Sequence, residues 1–416
     1  MRRLFQDAGS YYSGLFTIHI SGKFNGKLDL KNLSVEQLST FMHEYIHFLQ
    51  DTSTTRGISY AVFVSKKLQL FFAHAVKCGE TIKLPFTDIE KSGGSDAYKE
   101  CELQTFYFGN CKFKKIHHIN RICKEPEEII TEEMGNTVQF HTVKIYYDDD
   151  KSYDFGSNAI SESMAYLIER ELFNTQEREN EIPYNLCELV CNEIYPCILS
   201  NRNILIAMCE LSLMHYDSGV MFWEILQEMK NKKLRFQTVQ EFTDYFEKRT
   251  VFLYQDYYNG VMEIKECFDF LYPTSSNLFN EVRKQLTEYI NTAQRTREDH
   301  PLFISELVEN KKMISSLDKI FKCFGFPIIY DDGYNIYSTH DLTYLLAPIA
   351  LCDYFESRTK KGCFLSIFCI AQNNENYSQY ICENVPWKQA EKEKLCPFGL
   401  YWHIYLSHVK KVMWNQ

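Results

Sequence analysis

No stretch of this sequence approaches 18 uncharged apolar residues. A membrane-spanning helix needs about 20, so none is expected. Positive charge is not in excess either: 45 Lys and Arg stand against 55 Asp and Glu, for a net charge of −10. A basic surface supplies most of the affinity for nucleic-acid backbones, so no nucleic-acid partner is expected. The short basic clusters, at Lys112 with Lys114 and Lys115, at 230–235 and at Lys360-Lys361, read as solvated surface. The first residues, MRRLFQDAGSYY, carry two arginines but no apolar core segment, unlike a secretory signal. The 15 cysteines are odd in number and follow no framework or C-x-x-C spacing. They read as reduced, mostly buried thiols, and the chain as cytoplasmic. P-loop, dinucleotide-binding glycine fingerprint, G-x-S-x-G elbow and internal repeat are all missing. What is left is a chain of 416 residues, 45% hydrophobic, with ample material for a large core.

The informative stretch is Ser34 to Asp51, SVEQLSTFMHEYIHFLQD. Ser34 with Gln37 three residues on predicts a capping-box start. Val35, Leu38, Met42, Tyr45, Ile46 and Leu49 then recur at helical spacing and form an apolar stripe. His43, His47, Gln50 and Asp51 fall on a different face, with Glu44 at its edge. Residues four apart on a helix lie one turn above each other, so His43 and His47 can grip one metal ion. Glu44 stands where a carboxylate can take a proton from a water on that metal.

A catalytic zinc takes three protein ligands and keeps one position open for water, and this helix offers two. A second helix, predicted over Gly156 to Phe173 with Ser157 or Asn158 as its cap, carries Glu162, Tyr166 and Glu169 on one face. Glu162 is the leading candidate for the third ligand; Asp51, Glu169 and His74 compete. Ala165, one turn from Glu162, lets this helix approach another closely. Gln50 or Asp51 is placed to orient a ligand histidine. Tyr166, His215 and Arg170 are candidates to stabilise a developing oxyanion.

Alternation at 15–21 predicts a half-buried strand, with Asn25-Gly26 turning it back to Lys27–Leu30. Its edge can hold an extended peptide. Thr137 to Tyr147 and Ser152 to Phe155 read as a hairpin about an acidic turn. From Pro183 to Met229 the chain is apolar and helical, with Cys187 and Cys191 in the core. Helices continue to about 300, where Arg295 to His300 before Pro301 reads as a junction. The last segment, with Cys363, Cys369, Cys382 and Cys396, matches no zinc module.

With His43-Glu44-x-x-His47 followed far downstream by Glu162 in S-E-S-M-A, the chain resembles the zincin metallopeptidases of the glutamate-ligand kind. The resemblance spans the two helices and the strands around them, less than half the chain. It departs from the thermolysin-like group in its much longer spacer, in Ser161 before the glutamate and in Tyr166 where that group has an aspartate. It implies Zn2+ held by His43, His47 and Glu162, Glu44 as general base and acid, and a peptide or protein substrate. The expected fold is α+β and mostly helical: a zincin-like small sheet and active-site helix, then a large helical region. The expected division is 1–180 as metallopeptidase core, 181–310 as helices completing or covering the site, and 311–416 as a mixed region. Alternatives are a non-peptidase zinc hydrolase, or a zincin-fold regulatory protein with lost or latent catalysis and a protein partner.

Overall fold

The computed structural model describes residues 9–13, 17–22, 33–86, 95–110, 112–131, 136–148, 151–174, 181–273, 277–325, 327–332, 336–337, 346–357, 362–371 and 377–414. The fold is α+β and mostly helical, with four small sheets among the described residues. Strands β1 (Gly9–Tyr12) and β2 (Thr17–Ile20) precede helix α1 (Val35–Ser53). The α1 start is as predicted: Ser34 Oγ accepts the Gln37 N–H at 3.1 Å, and the Gln37 side chain accepts the Ser34 N–H at 3.0 Å. The stripe-and-face division is not kept. Every side chain from Ser39 to Ser53 is buried, while Val35, on the expected stripe, is 67% exposed. A helix enclosed on all sides needs partners for its polar residues too, and the site described below is built from those partners.

Thr54 turns the chain sharply into α2 (Thr55–Cys78), its Oγ1 accepting the Gly57 N–H at 3.2 Å. Gly57 lies inside the first turn of α2. A Cβ there would stand 2.2 Å from Asp51 Cα, so the corner admits only glycine. The chain continues through β3 (Thr81–Leu84), α3 (Ser95–Phe108), β4 (Lys114–Lys115), β5 (Ile119–Thr131), β6 (Asn136–Tyr147) and β7 (Lys151–Phe155). The β6–β7 hairpin is present, and β5 joins it as an unexpected third strand, antiparallel to β6. In the acidic turn Asp148 adopts φ 34°, and its carboxylate accepts the N–H groups of His117 and His118 at 3.0 and 3.1 Å.

Helix α4 (Ser157–Phe173) starts after Gly156, with no side-chain cap. The two capping candidates are engaged otherwise or buried. A Cβ on Gly156 would lie 2.6 Å from Tyr107 O, and Asn158 is drawn away to accept from Arg56 at 3.2 Å and donate to Gly109 O at 3.3 Å. Beyond β8 (Glu181–Ile182), helices α5 (Leu186–Ile194), α6 (Arg202–Leu213), α7 (Ser218–Lys232), α8 (Val239–Tyr245), α9 (Glu247–Leu271), α10 (Asn277–Asp299), α11 (Phe303–Glu309) and α12 (Leu317–Phe324) follow. Cys187 and Cys191 are buried, as expected.

The final part holds β9 (Ile328–Asp331), β10 (Ile336–Tyr337), α13 (Ala347–Glu356), α14 (Ser366–Ala371), α15 (Gln379–Asn384), α16 (Pro397–Leu406) and β11 (Lys411–Trp414). The main sheet runs β1-β2-β9-β10, with β2 antiparallel to β1 and parallel to β9. The predicted return strand at Lys27–Leu30 lies outside the described residues. A second long-range pairing joins β11 to β3 in parallel. Both pairings cross the boundary at 311.

The Arg295–His300 stretch is no simple junction. Arg297, on α10, is buried and paired at 3.1 Å with Glu210 of α6, itself fully buried. The same guanidinium donates to Ser53 O, to Ser53 Oγ at 3.1 Å and to Pro301 O, closing the C-terminal end of α1. Glu210 in turn accepts from the backbone of Ile304 (3.2 Å) and Ser305 (2.8 Å) at the start of α11.

Candidate metal centre

Helices α1 and α4 pack so that Glu162 faces both histidines. His43 Nε2 lies 3.4 Å and His47 Nε2 3.5 Å from Glu162 Oε2. One ligand atom from each of the three residues can be chosen so that all lie within 4.8 Å of one another. A tetrahedral ion with ligand bonds of 2.0–2.2 Å has edges of about 3.3–3.6 Å, so the two distances suit a shared ion. His47 Nε2, Glu162 Oε1 and Glu44 Oε2 are buried without a hydrogen-bond partner among the described residues. Buried polar atoms without partners are costly, and a cation held by His43, His47 and Glu162 would satisfy those of His47 and Glu162. The donor set therefore fits a metal ion.

The outer nitrogens of both rings are held. His43 Nδ1 lies 3.1 Å from Glu169 Oε2, and Ser39 Oγ donates to Glu169 Oε1 at 2.7 Å. His47 Nδ1 lies 2.8 Å from Gln50 Oε1 and 3.1 Å from Ser161 Oγ. Gln50 Nε2 donates to Ser161 O at 3.1 Å, which fixes its amide with the oxygen toward His47. With acceptors at both Nδ1 atoms, the favoured tautomers carry the proton there and leave each Nε2 lone pair for a metal.

Burial and mutual charge shift the ionisation of the cluster's members in opposite directions. Burial disfavours a charged His43, but hydrogen bonds to Glu162 and Glu169 outweigh it and push its pKa up to about 10. Burial, with Glu162 and Glu169 nearby, raises Glu44 to about 8 against the opposing pull of His43. Glu162 is lowered despite burial, by its charge attraction to His47 and by its hydrogen bond and charge attraction to His43. A raised histidine pKa stabilises the metal-free fold fully below pH 6.5, and this contribution is lost as pH rises through about 10. Metal uptake must displace that proton. Apparent zinc affinity is expected to rise by about tenfold per pH unit from 6.5 toward 9, with at least one proton released per zinc at pH 7. Titration in weakly buffered solution with a pH indicator checks this, and a flat pH dependence would contradict it.

The other candidates fall around this centre. Asp51 is not among the ligand group: Oδ1 pairs with Arg56 at 2.6 Å and Oδ2 accepts from Tyr11 at 3.0 Å. Glu169 supports His43 from behind. Tyr166 is buried between Tyr184 (ring centroids 5.5 Å apart) and Arg170, whose guanidinium lies 5.4 Å from its ring; Tyr184 meets the edge of His43 at 5.9 Å. Tyr166 thus stands one ring away from the cluster. His215 sits in the turn between α6 and α7, its Nδ1 accepting the Asp217 N–H at 3.0 Å, and is not a member of the clustered group. His74 packs on Phe86 near the far end of α2. Ser39, Ser161, Tyr184 and Tyr11, whose ring stacks on His47 at 6.0 Å, were not anticipated. Of these only Ser161 carried a signal, by adjoining Glu162.

No protein-family model matches the chain, and no significant match is found among curated proteins or solved structures. Among the described residues no helix is long and apolar enough to cross a membrane.

Proposed function

We propose that the chain is a zinc-dependent peptidase of the zincin kind, with His43, His47 and Glu162 as ligands and Glu44 as general base. The observation that carries this reading is the buried group of His43, His47 and Glu162, with both Nε2 atoms 3.4–3.5 Å from Glu162 Oε2, a spacing suited to a tetrahedral ion. When bound, zinc supplies a Lewis acid that makes water acidic near neutral pH and polarises a carbonyl. Glu44 takes the proton of the attacking water and returns it to the leaving amine. Glu169 with Ser39, and Gln50 with Ser161, keep the two imidazoles oriented.

A regulatory protein with latent catalysis is the second reading. It is favoured by burial, since His43, Glu44, His47 and Glu162 are each no more than 1% exposed. Elemental analysis separates the outcomes. One zinc per chain is expected in the parent and near zero in His43→Ala and Glu162→Ala. Zinc kept by Glu162→Ala would move the third ligand elsewhere. A zinc-replete parent without metal would sink the enzyme reading.

A further inference from the structure

The closed state of the centre has an identifiable cover. Among the described residues strand β1 is an edge of the main sheet, paired there only to β2, and its Gly9 and Tyr11 lie against α1. Gly9 sits directly over Thr40 and Glu44. A Cβ there would meet Thr40 Cγ2 at 2.6 Å, His19 O at 3.0 Å and Glu44 Cγ at 3.6 Å, so that position admits no side chain. Residues two apart on a strand face the same side, and Tyr11 accordingly also meets α1. Its ring stacks on His47 at 6.0 Å and its hydroxyl donates to Asp51 at 3.0 Å. Ser10 and Tyr11 are 2% and 0% exposed. An extended main chain therefore already lies against the general-base candidate and one metal-ligand candidate.

We propose that β1 is a tethered occupant of the centre's own peptide seat, and that the ligands of this site are extended segments with a small residue, any residue, then an aromatic. This rests on the peptidase reading for its catalytic meaning, though not for its binding test. Gly9 sets the first requirement, since anything larger collides with Thr40 and the β2 backbone. Tyr11 sets the second through the His47 face and the Asp51 carboxylate. A foreign segment takes the place only when β1 leaves. The exchange requires β1, four residues long and paired only to β2 among the described residues, to part from that single neighbouring strand.

The test keeps the whole chain. A specific protease site is placed between Tyr12 and Thr17 and cut after folding. Binding of a fluorescent peptide of residues 7–14, DAGSYYSG, is then measured by anisotropy on cut and intact protein, with zinc content measured in parallel. Binding to the cut form is expected to be at least about tenfold tighter than to the intact form. Peptides with Gly9→Val or Tyr11→Ala are each expected to bind about tenfold more weakly. Equal binding to cut and intact protein, or indifference to both substitutions, overturns the proposal. Zinc content reports separately on the peptidase reading: peptide binding without zinc would leave the seat standing and remove its catalytic role, and zinc without peptide binding would do the reverse.

Discussion

Glu44→Gln is expected to retain one zinc per chain while hydrolysis of a peptide substrate falls by about 10²–10⁴-fold, the usual contribution of a positioned general base. Glutamine has nearly the same shape, and Glu44 is not one of the three residues whose ligand atoms cluster, so metal retention is the expected control. The pH behaviour adds a second check. Glu44 has a raised pKa of about 8 in the metal-free protein, so ionising it opposes folding increasingly as pH climbs from 4.5 through 8. Glutamine cannot ionise. The metal-free variant should therefore gain thermal stability relative to the parent above pH 8 and show little difference near pH 5. Unchanged turnover with zinc in place would remove Glu44 from the mechanism.

Arg297→Ala is expected to destabilise the fold by about 3–5 kcal/mol, the usual result of removing one member of a buried ion pair. The deletion leaves the Glu210 carboxylate uncompensated in a fully buried site and takes the donor away from Ser53 O at the C-terminal end of α1. It also loses the stacking of the guanidinium over Phe303 at 4.9 Å. A double variant, Arg297→Met with Glu210→Leu, should recover much of the loss, because the unpaired charge is then gone. Chemical denaturation of the two variants checks this. A loss below about 1 kcal/mol in Arg297→Ala would show the pair to be inessential.

The histidine pair and Glu162 were legible because their signals are local. A capping box sets the register of α1, and helical spacing alone places Glu162, Tyr166 and Glu169 on one face of α4. What was not legible depends on pairing across the chain. The parallel partner of β2 comes from residues 328–331, and no nearby turn announces it; residues 9–12 pair with β2 across the short connection 13–16, with its Ser13-Gly14 turn signal. Strand β5 was hidden by Pro126 and three glutamates, composition that reads as loop, yet its mostly solvent-facing side chains tolerate it beside β6. Arg297 looked like surface because its neighbours Arg295, Glu298 and Asp299 are charged, and nothing local distinguishes the one that turns inward. Asp51 shares the histidines' face by periodicity, but Arg56 and Tyr11 claim it. Burial on every side of α1 also escaped the apolar pattern, since nine of its fifteen buried residues are polar.

Because β2 is matched in parallel to β9, assembly around the metal helix has a built-in timetable. A ribosome releases the His43–His47 turn early, but the strand beside β2 and Gly325, whose carbonyl takes the Tyr45 hydroxyl at 3.0 Å, emerge nearly 280 residues later. Long-range strand pairing waits for its distant partner to be released. The sheet beside α1 is thereby completed only well after the helix it packs on has been made.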